Sequence, residues 1–256
     1  MMKAIRASWW VILVALCFAP GAFGQQVNID FTGGYSSYTY VDYGDINGNV
    51  ATGLYTATVD GQNTYIVCDD LTDSITNGEK WSATVISLQN SGSGTLFGGT
   101  IGMQAYVDMA YLANYMYLNQ GSMSGSQFTG ISLALWNITN SGLTSTLIAG
   151  GSIVWDNTTF AKTLTQPGQL AALNWAMNLI LSNNPQLSQL NGILYIYTPV
   201  GAWYNGEPQE MFGWVPDIQA PEGGSAAMYL LLAGVSCFGA MFFRHRRSAP
   251  GVRPAA

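Results

Sequence analysis

Residues 54–68 read LYTATVDGQNTYIVC. Segments 54–59 and 64–68 are rich in β-branched and aromatic residues. Asp60-Gly61 between them is a dipeptide that tolerates the positive φ angles of a two-residue hairpin turn. A β-hairpin is expected here, and its neighbours keep the same period. From 27 to about 88 the chain reads as strands, with a second turn at Asn47-Gly48 and a further strand at 81–88, where WSATVISL alternates. The stretch 90–102 is rich in Gly and Ser and reads as a loop. Then the period changes. Tyr106, Met109, Ala110, Ala113, Met116 and Tyr117 recur at spacings of three and four, which predicts an amphipathic helix over 103–119. Ile131, Leu135 and Ile138 predict a second over 126–138, and a third spans 170–181 before the stop signal Asn183-Asn184-Pro185. Strands return at 193–198 and 211–215. The order strands, helices, strands predicts an α+β domain: an antiparallel β-sandwich or barrel with two or three helices inserted in it or packed against it. A single cooperative unit is expected, with no separable part over 51–140.

Both ends of the chain read as sorting segments. Lys3 and Arg6 precede a short apolar run, Pro20-Gly21 breaks it, and Ala22-Phe23-Gly24 offers small residues at −3 and −1. That is the pattern of a secretory signal peptide, 1–24, cut before Gln25. At the other end, Pro221-Glu222-Gly223-Gly224 leads into 225–243, an uncharged apolar run of 19 residues, followed by Arg244, Arg246 and Arg247. The run is close to the roughly 20 residues that a helix needs to cross a bilayer. The basic cluster places 248–256 in the cytoplasm and the domain outside. In its order of motif, helix and Arg cluster, 221–247 resembles the sorting signal of PEP-CTERM proteins, with Pro-Glu-Gly-Gly standing where Pro-Glu-Pro is commoner. The resemblance implies processing by an exosortase-type enzyme of a Gram-negative bacterium. It also implies inner-membrane anchoring before processing, then release or display at the cell surface. A plain membrane anchor is the alternative.

Removal of the sorting segments leaves a domain of about 196 residues, 25–220, and changes its chemistry. All five arginines and the sole histidine, His245, lie in the ends. The domain keeps Lys80 and Lys162 against thirteen carboxylates, a net charge of about −11. Such a surface repels phosphate backbones, which excludes nucleic-acid binding. Without histidine, Ser-His-Asp and Cys-His catalysis and His-based zinc sites are excluded as well. Cys68 is the domain's lone cysteine, so it has no internal disulfide partner.

A second resemblance runs through 51–140. Val67-Cys68-Asp69-Asp70, Gly78-Glu79-Lys80-Trp81, Thr95-Leu96-Phe97-Gly98-Gly99, Ala110-Tyr111-Leu112-Ala113 and Ala134-Leu135-Trp136 are similar to motifs of the thioester domains of bacterial surface adhesins. In that family a strand Cys and a Gln four residues before the Trp form an internal thioester that captures a partner's amine. Here the position four before Trp136 is Ser132, which has no carboxamide for the Cys68 thiol to attack. Gln127, five residues further back, faces another direction on a helix. The expectation is a thioester-domain-like scaffold without the crosslink. Cys68 then serves as a small buried side chain, with a reactive thiol as the alternative.

Other constellations carry less. Asp69, Asp70, Asp73 and Glu79 are the one dense acidic cluster, and two carboxyls ~5–9 Å apart would suit a glycoside hydrolase. Neighbours on a strand point to opposite faces, so capping and turn roles are expected instead. Asp42, Asp45, Asn47 and Asn49 hint at a calcium loop but lack the spacing and the closing Glu, so a tight turn is expected and no metal. Asn137-Ile138-Thr139 and Asn157-Thr158-Thr159 fit the glycosylation triplet. Trp203, Tyr204 and Trp214 offer rings for stacking on sugars. Together these readings describe an exported non-catalytic cell-surface or extracellular-matrix protein without cofactors. Its expected partners are a polysaccharide or a surface protein. The alternatives are a covalent adhesin using Cys68 and a carboxylate-dependent glycoside hydrolase.

Overall fold

The computed structural model of the chain describes residues 25–72, 75–143, 158–201 and 208–214, all within one compact unit, Met1–Pro216. Strand β1 (Gln26–Gly33) sets the pattern: Val27, Ile29 and Phe31 are buried while Gln26, Asn28 and Thr32 are exposed. That is the period-two signature of a sheet with one wet face. Strands β4 (Tyr55–Val59) and β6 (Lys80–Ser87) repeat it, and they flank β1 on its two sides. With β5 (Gln62–Cys68), β7 (Tyr195–Pro199) and β8 (Met211–Gly213) they close an antiparallel barrel in the order β1-β4-β5-β8-β7-β6. Closure leaves the barrel no unpaired edge strand. Of the two architectures open in the sequence, the barrel is the one adopted.

The β4–β5 hairpin turns where the dipeptide requires it, with Asp60 at φ 48° and Gly61 at φ 80°. The other expected turn is displaced. Strands β2 (Ser37–Tyr43) and β3 (Ile46–Thr52) pair with Val41 opposite Gly48 and Asp42 opposite Asn47, so Asn47-Gly48 lies inside a strand. Gly44, at φ 60°, makes the turn instead. The Tyr40 hydroxyl donates across the pair to Asn47 Oδ1 at 2.5 Å, which gives that side chain a cross-strand role.

The helices are inserted between β6 and β7. Residues 90–102 are more ordered than a loop: a helical turn at Ser91–Gly94 is followed by the first turn of α1 (Gly98–Asn119). Gly102 (φ 77°, ψ 169°) interrupts α1, so the regular helix begins at Met103, where the periodicity starts. Helix α2 (Gly125–Ser141) opens with a capping box, the Ser124 hydroxyl accepting from Gln127 N while Gln127 Oε1 accepts from Ser124 N. Helix α3 (Gln169–Asn183) ends at Asn184 in the left-handed conformation before Pro185. Every residue from Phe128 to Thr139 is buried, so α2 has no solvent face over three turns. It lies among α1, α3, the β2–β3 hairpin and the barrel rim. Gly130 permits the α2–α3 approach, since a Cβ there would stand 2.4 Å from the Ala172 carbonyl oxygen. Because the barrel needs β1, β7 and β8, residues 51–140 cannot close it by themselves.

Candidate functional site

Cys68 ends β5, with Met211 of β8 opposite it, and is 2% exposed. Its thiol donates to the Asp70 carbonyl oxygen at 2.7 Å. Burial pushes the thiol pKa well up, and the nearby Asp70 and Asp69 push it further. The indole of Trp136 and the Asp70 backbone oppose that shift more weakly. The thiol is therefore held protonated, whereas a nucleophilic cysteine needs the thiolate.

Helix α2 meets this end of the barrel through one stripe of side chains at spacings of three and four. Thr129 Oγ1 lies 3.3 Å from Thr52 Oγ1, Ser132 Oγ accepts from Gly53 N at 3.0 Å, and Thr139 Oγ1 donates to Asp69 O at 2.9 Å. Trp136 sits between Ser132 and Thr139 on the same stripe, 2% exposed. Extending the β4–β5 register by two residues from Tyr55 opposite Ile66 brings Gly53 level with Cys68. Ser132, whose hydroxyl is engaged by Gly53, and Cys68 thus both stand at the rung just past the paired end of β4–β5. Gln127 caps the start of α2 and is directed at Ser124, away from this rung. The sorting residues Pro221, Glu222, Gly223, Gly224, Arg244, Arg246 and Arg247 and the apolar run 225–243 lie outside the described residues. Among the described residues, no helix is long and apolar enough to cross a membrane.

The acidic cluster does not take the form expected. Asp70 has the turn role, its Oδ1 accepting from Thr72 N and Thr72 Oγ1 at 2.9 and 2.7 Å. Glu79 likewise accepts from Thr76 N at 2.7 Å. Asp69 has no such role. It is 0% exposed, and among the described residues no hydroxyl or N–H donor reaches either oxygen of its carboxyl, which meets the carboxyl of Glu210 instead. Its neighbour is Glu210, at the entry to β8, a residue the sequence did not single out. Glu210 is also fully buried, and three donors converge on it. Tyr106 Oη donates to Oε1 at 2.5 Å, Thr198 Oγ1 to Oε2 at 2.6 Å and Leu96 N to Oε2 at 2.8 Å. Burial raises the Asp69 pKa well above the carboxylate range, and the charges of Glu210 and Asp70 add to the shift. Burial raises Glu210 too, but its donors pull it back. Both carboxyls are thus pushed up by burial, Asp69 the more strongly, while hydrogen bonds from Tyr106, Thr198 and Leu96 favour the charged form of Glu210.

The remaining candidates fall apart in space or function. Asn137 is 0% exposed, with its Oδ1 accepting from Ser141 and Thr158 hydroxyls, so the triplet at 137 offers a glycosyltransferase no side chain. Asp73, Asn157, Trp203 and Tyr204 lie outside the described residues. Among the described residues, no group of three His, Cys, Asp or Glu side chains is placed to hold a metal ion. A cleft of about 660 Å³ opens between the β2–β3 hairpin and the barrel rim and includes Tyr55, Leu71 and Trp136 in its walls. A second, of about 480 Å³, lies against the outer wall of the barrel. Neither is lined by Asp69, Asp70 or Glu210.

No protein-family model, curated protein or solved structure matches the chain. The functional reading therefore rests on the residues themselves.

Proposed function

We propose that this is an exported, non-catalytic cell-surface or extracellular-matrix protein. In this reading its domain is a thioester-domain-like scaffold without the crosslink. An exosortase-type enzyme then processes the tail 221–247 at the inner membrane. The observation that carries the non-catalytic reading is the engagement of Ser132. Its hydroxyl is bonded to Gly53 N at the position where a crosslinking domain would present a carboxamide, while the Cys68 thiol is buried and protonated. The glycoside hydrolase reading finds no support in the carboxyl pair, because Asp69 and Glu210 are both 0% exposed and no substrate bond could reach them.

The direct test is fractionation of the producing cell with terminal sequencing of the recovered chain. The expected product starts at Gln25, lacks 225–243, and is found outside the inner membrane. Recovery of the full tail in the surface fraction would leave a simple anchor. Recovery of the whole chain in the cytoplasm would overturn export.

A further inference from the structure

Among the described residues, no helix packs substantially on β1 or β4, and past the Asp30–Lys80 ion pair the outer wall of the barrel carries uncharged side chains. Among the described residues, Thr32, Thr56, Asn63, Tyr65, Tyr117 and Trp214 line a trough of about 480 Å³ and carry no charge. The register explains why they meet. Asn63 and Tyr65 alternate outward on β5, Tyr65 stands opposite Thr56 of β4, and one step beyond the Ile66–Gly213 pair it stands level with Trp214. Tyr117 comes from the last turns of α1 and stacks on Trp214, ring centroids 4.3 Å apart at 28°. Tyr65 tilts against Tyr117 at 5.8 Å and keeps 36% of its surface exposed.

The Trp214 backbone is held by one bond and its ring by two contacts. Thr64 Oγ1 donates to its carbonyl oxygen at 2.8 Å, its indole N–H donates to Asn114 Oδ1 at 3.4 Å, and Tyr117 covers a face. Core packing does not require such fixation of a partly buried ring at the surface. It lowers the entropy lost when a ligand lies against the wall. At the other lip the Thr32 and Thr56 hydroxyls are linked at 3.1 Å, and the Asn63 amide is exposed with donors and an acceptor to offer. Flat rings, hydroxyls and an amide, with no charge, suit a neutral polyhydroxylated ligand. Phosphate, uronate and basic peptides each call for a charged partner. The volume is within the roughly 300–1,000 Å³ of small-molecule sites.

We propose that this trough binds a neutral saccharide chain, sugar rings lying on Tyr65, Tyr117 and Trp214 and hydroxyls bonding to Asn63 and the threonines. This rests on the reading of the protein as one that makes surface or matrix contacts, and it gives those contacts a ligand class. The test uses the full chain in a non-glycosidic detergent, titrated with cello-, laminari-, malto- and mannotetraose, and followed by tryptophan fluorescence and calorimetry. A tetragalacturonate and a proline-rich decapeptide serve as comparison ligands. The expected result is saturable binding of at least one neutral tetrasaccharide, weakened about five-fold or more by Tyr65→Ala and by Asn63→Ala, with the melting temperature kept within a few degrees. Absence of binding by all four neutral sugars would overturn the proposal. So would equal or tighter binding of the uronate or the peptide, or binding unaltered in both variants. The outcome is independent of the fractionation test, so either reading can fail without the other.

Discussion

Replacing Ser132 by alanine removes one oxygen from the interior and leaves the Gly53 N–H, buried at the barrel rim, without its acceptor. Gly53 cannot turn that group toward solvent. It sits at φ 99°, where a Cβ would stand 2.6 Å from Ser36, and the loop is fixed between β3 and β4. A buried donor stripped of its partner costs about 1–3 kcal/mol. For a domain of this size that lowers the melting temperature by roughly 2–4 °C per kcal/mol, so a fall of about 5 °C is the central expectation. The assay is thermal and urea denaturation of the purified chain beside Ser126→Ala, an exposed serine on the same helix that should stay within about 0.5 kcal/mol. Ser132→Gln adds bulk at a position 2% exposed and should cost a comparable ~1–3 kcal/mol by overpacking. If Ser132→Ala matches Ser126→Ala, the serine is no rim acceptor and the account of why this rung tolerates a serine is wrong.

The pH dependence follows from three acids raised by burial, Asp69, Glu210 and Asp108. Asp69 is held protonated by burial beside Glu210, and burial lifts Asp108 to about 7 against the opposing bond from Gln104. Raised carboxyl pKa values mean that the folded state holds protons the unfolded state releases, so stability is highest near pH 4 and falls as pH rises, each acid adding at most ~1.4 kcal/mol per pH unit until its folded pKa is passed. Urea midpoints from pH 4 to 8 should show that fall, with Asp69→Asn and Asp108→Asn each flattening it; a profile unchanged in both variants would refute the assignment. Gly130→Ala should cost at least ~1–3 kcal/mol by driving a methyl into the Ala172 carbonyl, whereas Gly99→Ala, with open space around its Cβ, should be near neutral in the same melts.

The sequence carried the local elements because their signals are local. Asp60-Gly61 forms its hairpin, the apolar spacing begins the regular helix at Met103, and Asn184-Pro185 ends α3. Barrel closure was less legible, since it depends on pairing residue 26 with 84 and on a three-residue strand, Met211–Gly213, too short to show a period. The Asn47-Gly48 turn was misplaced because Gly44-Asp45, three residues earlier, satisfies the same backbone need with better strand register. The burial of α2 on all sides had an available signal: no charged residue occurs from Met109 to Trp155. A helix without a polar face is a buried one. That reading would also have shown Asn137 to be internal. Glu210 had no local signal, because its burial comes from α1 and β7 closing over the start of β8. Ser132 is legible before the fold because it is one residue identity at a fixed spacing from Trp136.

The most direct test of the account is the covalent state of Cys68 in the native chain. Intact mass alone is ambiguous, because an amino-terminal Gln25 loses ammonia by cyclising. The chain should instead be denatured in methylamine, alkylated with iodoacetamide, digested and sequenced by tandem mass spectrometry. The account predicts that Cys68 is quantitatively alkylated and that no glutamine carries methylamine. A Cys68 that resists iodoacetamide when the chain is denatured without methylamine, together with methylamine on any glutamine side chain in the treated chain, would contradict it and identify the missing partner.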